Sequence, residues 1–107
     1  MKELEKKVAD LAKAESERAI TRNGMFRSAH EGYAVLLEEV EECNEAIQKA
    51  TKAMMSIWDC TRKDVDPVSD GFLDMLETLA VSIACEAIQV AAMCQKYVAA
   101  SDKGWGD

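Results

Sequence analysis

The sequence predicts an all-α helical bundle, with two long antiparallel helices and a shorter N-terminal one. Three observations predict it. Apolar residues recur at helical spacing along most of the 107 residues. No glycine lies between Gly32 and Gly71, and Pro67 is the single proline, so little punctuates the middle of the chain. No alternating Val/Ile/Thr-rich run bounded by turns is present, so no sheet is expected.

The first segment runs from Lys2 to Arg22. Leu4, Val8 and Leu11 form a thin apolar stripe, continued weakly by Ala19 and Ile20, on a charged surface. Such a helix needs a partner. Asn23-Gly24 then signals a turn. The second segment starts at Ser28, an N-cap with Glu31 three residues on, the capping-box arrangement. Leu36, Val40, Cys43, Ile47, Ala50, Met54 and Ile57 follow at alternating steps of four and three, a bundle seam. The polar run around Pro67 ends it.

The third segment runs from Ser69 to Ala100, with Phe72, Leu76, Leu79 and Ile83, then Val90, Met93 and Tyr97, in the same rhythm. The position that should complete the seam is Glu86. A break near Ser82 is compatible with the pattern. Residues 101–107 lack periodicity and read as a flexible tail, with Trp105 able to dock on a neighbour. The chain is one domain, 1–107. Helices of about 30 residues span about 45 Å. That is long for so small a monomer, so a homo-oligomer, dimer or tetramer, is expected to complete the bundle.

Composition narrows the function. Thirteen basic against 20 acidic side chains give a net charge of −7, which lacks the basic footprint of a nucleic-acid binder. No unbroken run of 18 apolar residues is present and the N-terminus lacks an apolar leader, so no membrane span is expected and the cytoplasm is the expected compartment. Cys43, Cys60, Cys85 and Cys94 have no C-x-x-C spacing and read as reduced core thiols. His30 begins a zinc-protease-like pattern, but Ala34 stands where the second histidine is needed.

The carboxylates carry the chemical signal. Glu38, Glu39, Glu41, Glu42 and Glu45 crowd one helix, although like charges at (i, i+4) weaken a helix by about 0.2–0.5 kcal/mol per pair. Glu39 and Glu42 flank the seam of the second helix, and antiparallel packing brings them toward Glu86. A carboxylate on a seam needs a partner, since desolvating it alone costs on the order of several kcal/mol. Clustered carboxylates suit hard cations such as Mg²⁺ or Mn²⁺. Asp74 and Glu77, also three apart, are the alternative pair if the helices are shifted.

The stretches "AHEGYAVLLEEVEECNEAI" and "EAIQVAAMCQKYV" resemble the MazG-like group of all-α nucleoside triphosphate pyrophosphohydrolases, notably its small single-domain forms. The likeness covers residues 23–98 and is weakest over 48–80. It implies an oligomeric helical bundle that cleaves nucleoside triphosphates between the α- and β-phosphates, with Mg²⁺ (or Mn²⁺) held by an E-x-x-E and an E-x-x-D pair. The first pair falls on Glu39 and Glu42, with Glu38 alongside; the second falls on Glu86 and Gln89. Glu38 or Glu39 is then the candidate for activating water. Lys96 and His30 are candidates for contacting substrate. Gln89 departs from the family's Asp, and the gap between the motifs is long. The rival reading is a catalytically silent interaction or scaffold protein that retains the fold.

Overall fold

The computed structural model describes residues 1–105. Among them are three α-helices and no strand: α1 (Lys2–Asn23), α2 (Ala29–Arg62) and α3 (Phe72–Asp102). Local chemistry fixes the ends. At the Asn23-Gly24 turn, Gly24 takes φ 78°, a left-handed conformation that costs glycine little, and its N–H donates to the Ile20 carbonyl at 2.8 Å. The Ser28 hydroxyl accepts from the Glu31 N–H at 3.1 Å, and the Glu31 carboxylate accepts from the Arg27 N–H at 3.0 Å. The capping box therefore forms, with the reciprocal bond one residue before the cap.

Helix α3 is the central helix. It packs on α2 along one side and on α1 along the other, and the α1 and α2 backbones do not pack on each other. Antiparallel pairing of α2 with α3 is fixed at three levels. Gly32 meets Tyr97 at one end, Glu39 and Glu42 meet Glu86 in the middle, and the Cys60 thiol meets Asp70 at the other end. Helix α3 is continuous through Ser82, so the break does not occur, and it extends to Asp102. Trp105 packs edge-on against Tyr97, centroids 4.9 Å apart. The expected tail 101–107 is thus partly ordered; residues 106–107 lie outside the described residues.

The α3 seam matches the sequence expectation: Phe72, Leu76, Leu79, Ile83, Glu86, Val90, Met93 and Tyr97 are all buried or half-buried. The α2 seam is rotated. Glu39, Ala46 and Ala53 turn toward α3 where Val40, Ile47 and Met54 were expected, while Leu36, Cys43, Ala50 and Ile57 keep their places. Small side chains let the two helices approach closely, and the bulky ones are left outside. The α1 stripe is corrected too. Ala12 and Ser16 are buried, and Leu4, Val8 and Leu11 are exposed. Of the four free cysteines only Cys60 is buried, and Cys85 and Cys94 are exposed, so a common role as core thiols does not hold. Trp58 is exposed as well.

By length and composition α3 could cross a membrane, since one 18-residue window has a mean hydropathy of 1.5. The expectation of no such helix is corrected to that extent. Only 6 % of that window is buried although α3 has partners on two sides, and a carboxylate, Glu86, stands inside the helix.

The core gathers at one end, where Phe26, Ala92, Met93 and Ala100 are buried together. Gly32 belongs to this region for want of space. A Cβ there would lie 2.6 and 2.9 Å from two carbons of the Tyr97 ring. Trp105 stands against the same ring, which limits how it can turn aside. Gly32→Ala gains up to about 1 kcal/mol of helix propensity but overpacks, at a cost of about 1–3 kcal/mol. The expected outcome is a net loss of about 1 kcal/mol in urea unfolding; a stabilised variant would show that Tyr97 yields.

Candidate metal centre

Helix α2 turns Glu39 toward α3 by the rotation just described, and Glu42 follows one turn later. Helix α3 supplies Glu86 from the middle of its apolar seam. One carboxylate oxygen of each lies within 4.8 Å of the other two. Glu39 and Glu86 are half-buried and Glu42 is exposed. None of the ion pairs among the described residues reaches this trio; those pairs are Arg18–Glu15, Arg62–Asp59 and Lys63–Asp59. Neither Arg27 nor Lys96 pairs with Glu86.

The electrostatics follow from the crowding. Partial desolvation, then the charges of Glu42, Glu86 and Glu38, push the Glu39 carboxyl above the usual carboxylate range. Partial desolvation, then the charge of Glu86, pushes Glu42 the same way. The trio is a loose, uncompensated acidic cluster. Its donor set fits a hard cation: oxygens sharing one Mg²⁺ at about 2.1 Å lie about 3–4 Å apart, so small side-chain rotations suffice.

The cluster borders a cleft of about 440 Å³ between α1 and α2, floored by α3. Glu39 lines it, with Arg18 and Arg22 from α1 and Gln89 and Lys96 from the floor. Lys96 is only 5 % exposed, and its ammonium sits 4.5 Å from the centroid of the Phe26 ring. That is a cation–π contact with no carboxylate in salt-bridge reach. Glu15 and Glu31 line the cleft too, so three carboxylates and three cations share its surface, with Arg18 paired to Glu15.

The remaining sequence-predicted residues fall as follows. Glu38 is exposed and acts on the site through its charge. His30 is exposed and lines a separate groove with Tyr33 and Tyr97, apart from the carboxylates. Asp74 and Glu77 are exposed and outside the trio. Gln89 lies at the site but its amide is engaged: it donates to a Glu15 carboxylate oxygen at 2.9 Å. This bond, with Arg18 beside it, holds the Glu15 carboxyl below the usual range. Glu15 is the residue that sequence reasoning missed. The available signal was the row of small residues Ala12, Ser16 and Ala19, which marks the side of α1 that docks on α3 and carries Glu15 beside it.

A scan against protein-family models finds no match to this chain, and searches of curated proteins and of solved structures return none either.

Proposed function

We propose that the chain is a divalent-metal-dependent nucleoside triphosphate pyrophosphohydrolase, acting in the cytoplasm. The observation that carries this reading is the juxtaposition of an uncompensated carboxylate trio with a cleft whose lining includes Arg22, Lys96 and the Glu15-paired Arg18. A triphosphate–cation complex presents the complementary charges. Glu42 and Glu86, with Glu39, would hold Mg²⁺ or Mn²⁺. Bound there, the cation would neutralise phosphate charge and acidify a water.

The chain's own side chains do the rest. Arg18, Arg22 and Lys96 orient the phosphates by charge-assisted hydrogen bonds. Glu39 faces both the trio and the cleft, so it is placed to orient water toward the α-phosphorus and take its proton, with Glu38 as its neighbour in charge. Water adds to the α-phosphorus, the bond to the bridging oxygen breaks, and nucleoside monophosphate and pyrophosphate leave. Positioning and electrostatics dominate such catalysis.

One observation favours the rival, a silent scaffold that retains the fold. Gln89 brings no charge, and its amide nitrogen is committed to Glu15, so the fourth position of the metal pattern offers only a neutral amide oxygen. A panel of nucleoside triphosphates with Mg²⁺ and with Mn²⁺, scored for both pyrophosphate and monophosphate, decides between them. Equal release of the two products supports the enzyme. No release from any triphosphate at saturating metal leaves the scaffold.

A further inference from the structure

We propose that Lys96, held in place by Phe26, forms a subsite that binds a phosphate chain without any metal ion. An ammonium that is buried and left without a counter-ion poses the question. Lys96 is 5 % exposed, yet it enters none of the ion pairs among the described residues. Lysines are almost never buried this far unless paired, because an ammonium out of water is costly without an anion beside it. Glu31 lines the same cleft, but it is not in salt-bridge reach, and its carboxylate accepts from the Arg27 N–H. Among the described residues no buried side-chain nitrogen or oxygen is sealed off without a partner. The unpaired ammonium therefore opens onto the cleft that Lys96 lines.

Phe26 fixes where that ammonium stands. The Lys96 nitrogen lies 4.5 Å from the centroid of the ring. The ring is itself buried and packs in the core with Ala92, Met93 and Ala100. A ring that cannot move gives the cation a fixed seat and offsets part of its lost hydration. Ordering is thus complete before any ligand arrives, which is how a preorganised site gains affinity. A lysine that merely snorkels, its stem on the core and its head in water, would need no such seat.

The surroundings select the ligand. Arg22 on α1 lines the cleft and enters no ion pair either, whereas Arg18 is paired to Glu15. Two unpaired cations, one on the wall and one on the floor, suit an anion whose charge is spread over several oxygens. Glu31 and Glu39 line the cleft as well, so anions are not drawn in at large, and binding must come from direct contact with the two cations. The subsite stands apart from the carboxylate trio. Gln89 and Lys96, seven residues apart, share one face of α3 two turns apart, about 10 Å along the helix, and Glu86 lies nearly a further turn away. A phosphate chain seated on Lys96 can therefore dock before the cation does. As a substrate subsite this rests on the hydrolase reading proposed above, but the anion binding itself requires no hydrolysis.

Isothermal titration calorimetry of the full chain, stripped of metal on a chelating resin, tests this with pyrophosphate and separately with adenosine triphosphate. Saturable binding of both is expected. Lys96→Met keeps an apolar stem and removes the charge; it should weaken binding about 10-fold or more, the scale of a lost hydrogen bond to a charged group. Lys52→Met removes the same charge from an exposed position on α2 and should change nothing. Phe26→Leu should weaken binding several-fold with Lys96 intact, with folding of each variant checked by circular dichroism. The two lysine variants keep the test open if Phe26→Leu does not fold. Lys96-dependent binding of the triphosphate alone assigns the subsite to a bound nucleotide and not to free pyrophosphate. No binding of either ligand without metal overturns the proposal. So does binding that Lys96→Met or Phe26→Leu leaves intact, or that Lys52→Met weakens as much. Hydrolysis with metal is scored separately. Lys96-dependent binding in a chain that cleaves no triphosphate keeps the subsite and removes only the enzyme, whereas cleavage without such binding removes the subsite alone.

Discussion

Glu86→Gln is expected to raise the melting temperature of the metal-free protein and to abolish the further rise that Mg²⁺ or Mn²⁺ gives the wild type. The two effects have opposite signs and one cause. Glu39, Glu42 and Glu86 hold three carboxylates within 4.8 Å with no cation in salt-bridge reach. Neutralising one of them removes repulsion from the other two, and the charge of Glu86 is among the causes that raise the proton affinities of Glu39 and Glu42. The same change removes a charged ligand from the proposed metal site. At a metal concentration about 100 times its Kd, binding to the folded state stabilises by about 2.7 kcal/mol. For a domain this small that is on the order of 10 °C in melting temperature. The variant should show almost none of it. Hydrolysis, if the wild type has it, should fall at least as far as disturbing a metal's supporting residues lowers activity, about 10–100-fold. A Glu86→Gln protein that keeps the full metal response would place the cation elsewhere. One that loses stability without metal would mean that Glu86 has an unrecognised partner.

What could be read from the sequence divides along physical lines. Helix α3 carries one apolar stripe interrupted by one carboxylate, so its register and the inward position of Glu86 follow from spacing alone. Helix α2 carries two overlapping stripes one residue apart. Hydrophobicity favours the bulky one, Val40, Ile47 and Met54, but close packing on α3 selects Ala46 and Ala53. Periodicity alone cannot rank two apolar faces one residue apart. Glu39 was legible as a flanking residue for the same reason, and the rotation brings it further inward than expected. The part played by Glu15 was not legible, because its bond to Gln89 joins residues 74 positions apart on helices whose docking angle only the fold decides. The burial of Lys96 was not legible either, because it depends on the Phe26 ring delivered by the turn after α1.

Gln89→Asp is expected to weaken the protein, although it restores the E-x-x-D pattern that the resemblance implies. In sequence terms the substitution adds the missing negative charge, and charge count helps set affinity in oxygen-ligand sites. In the fold, position 89 faces Glu15. The Gln89 amide donates the bond that, with Arg18, keeps the Glu15 carboxyl ionised below the usual range. An aspartate in its place would have no donor to offer and would set a second carboxylate against the first. Losing a hydrogen bond to a charged group costs about 1.5–3 kcal/mol, and the seat of α1 on α3 should loosen by an amount of that order. The pH dependence should change with it. Because the folded-state pKa of Glu15 is depressed, its contribution is present above the unfolded carboxylate pKa and is lost as pH falls through the folded value. Wild-type stability should therefore decline more steeply on the acid side than that of Gln89→Asp, in which the Gln89 bond is already gone at neutral pH and only the Arg18 and Arg22 contributions to Glu15 remain. Adding Glu15→Gln separates this packing effect from metal binding. In the double variant the amide sits on α1 and the carboxylate on α3, so a donor again meets an acceptor. The site also holds one carboxylate on α3 three residues beyond Glu86. Stability should largely recover, and the metal concentration giving half-maximal thermal shift should fall below that of wild type. If the double variant recovers stability but not metal affinity, position 89 serves only to dock α1. If Gln89→Asp alone is as stable as wild type, the Glu15 bond contributes nothing measurable and the cleft between α1 and α2 is held open by its apolar contacts alone.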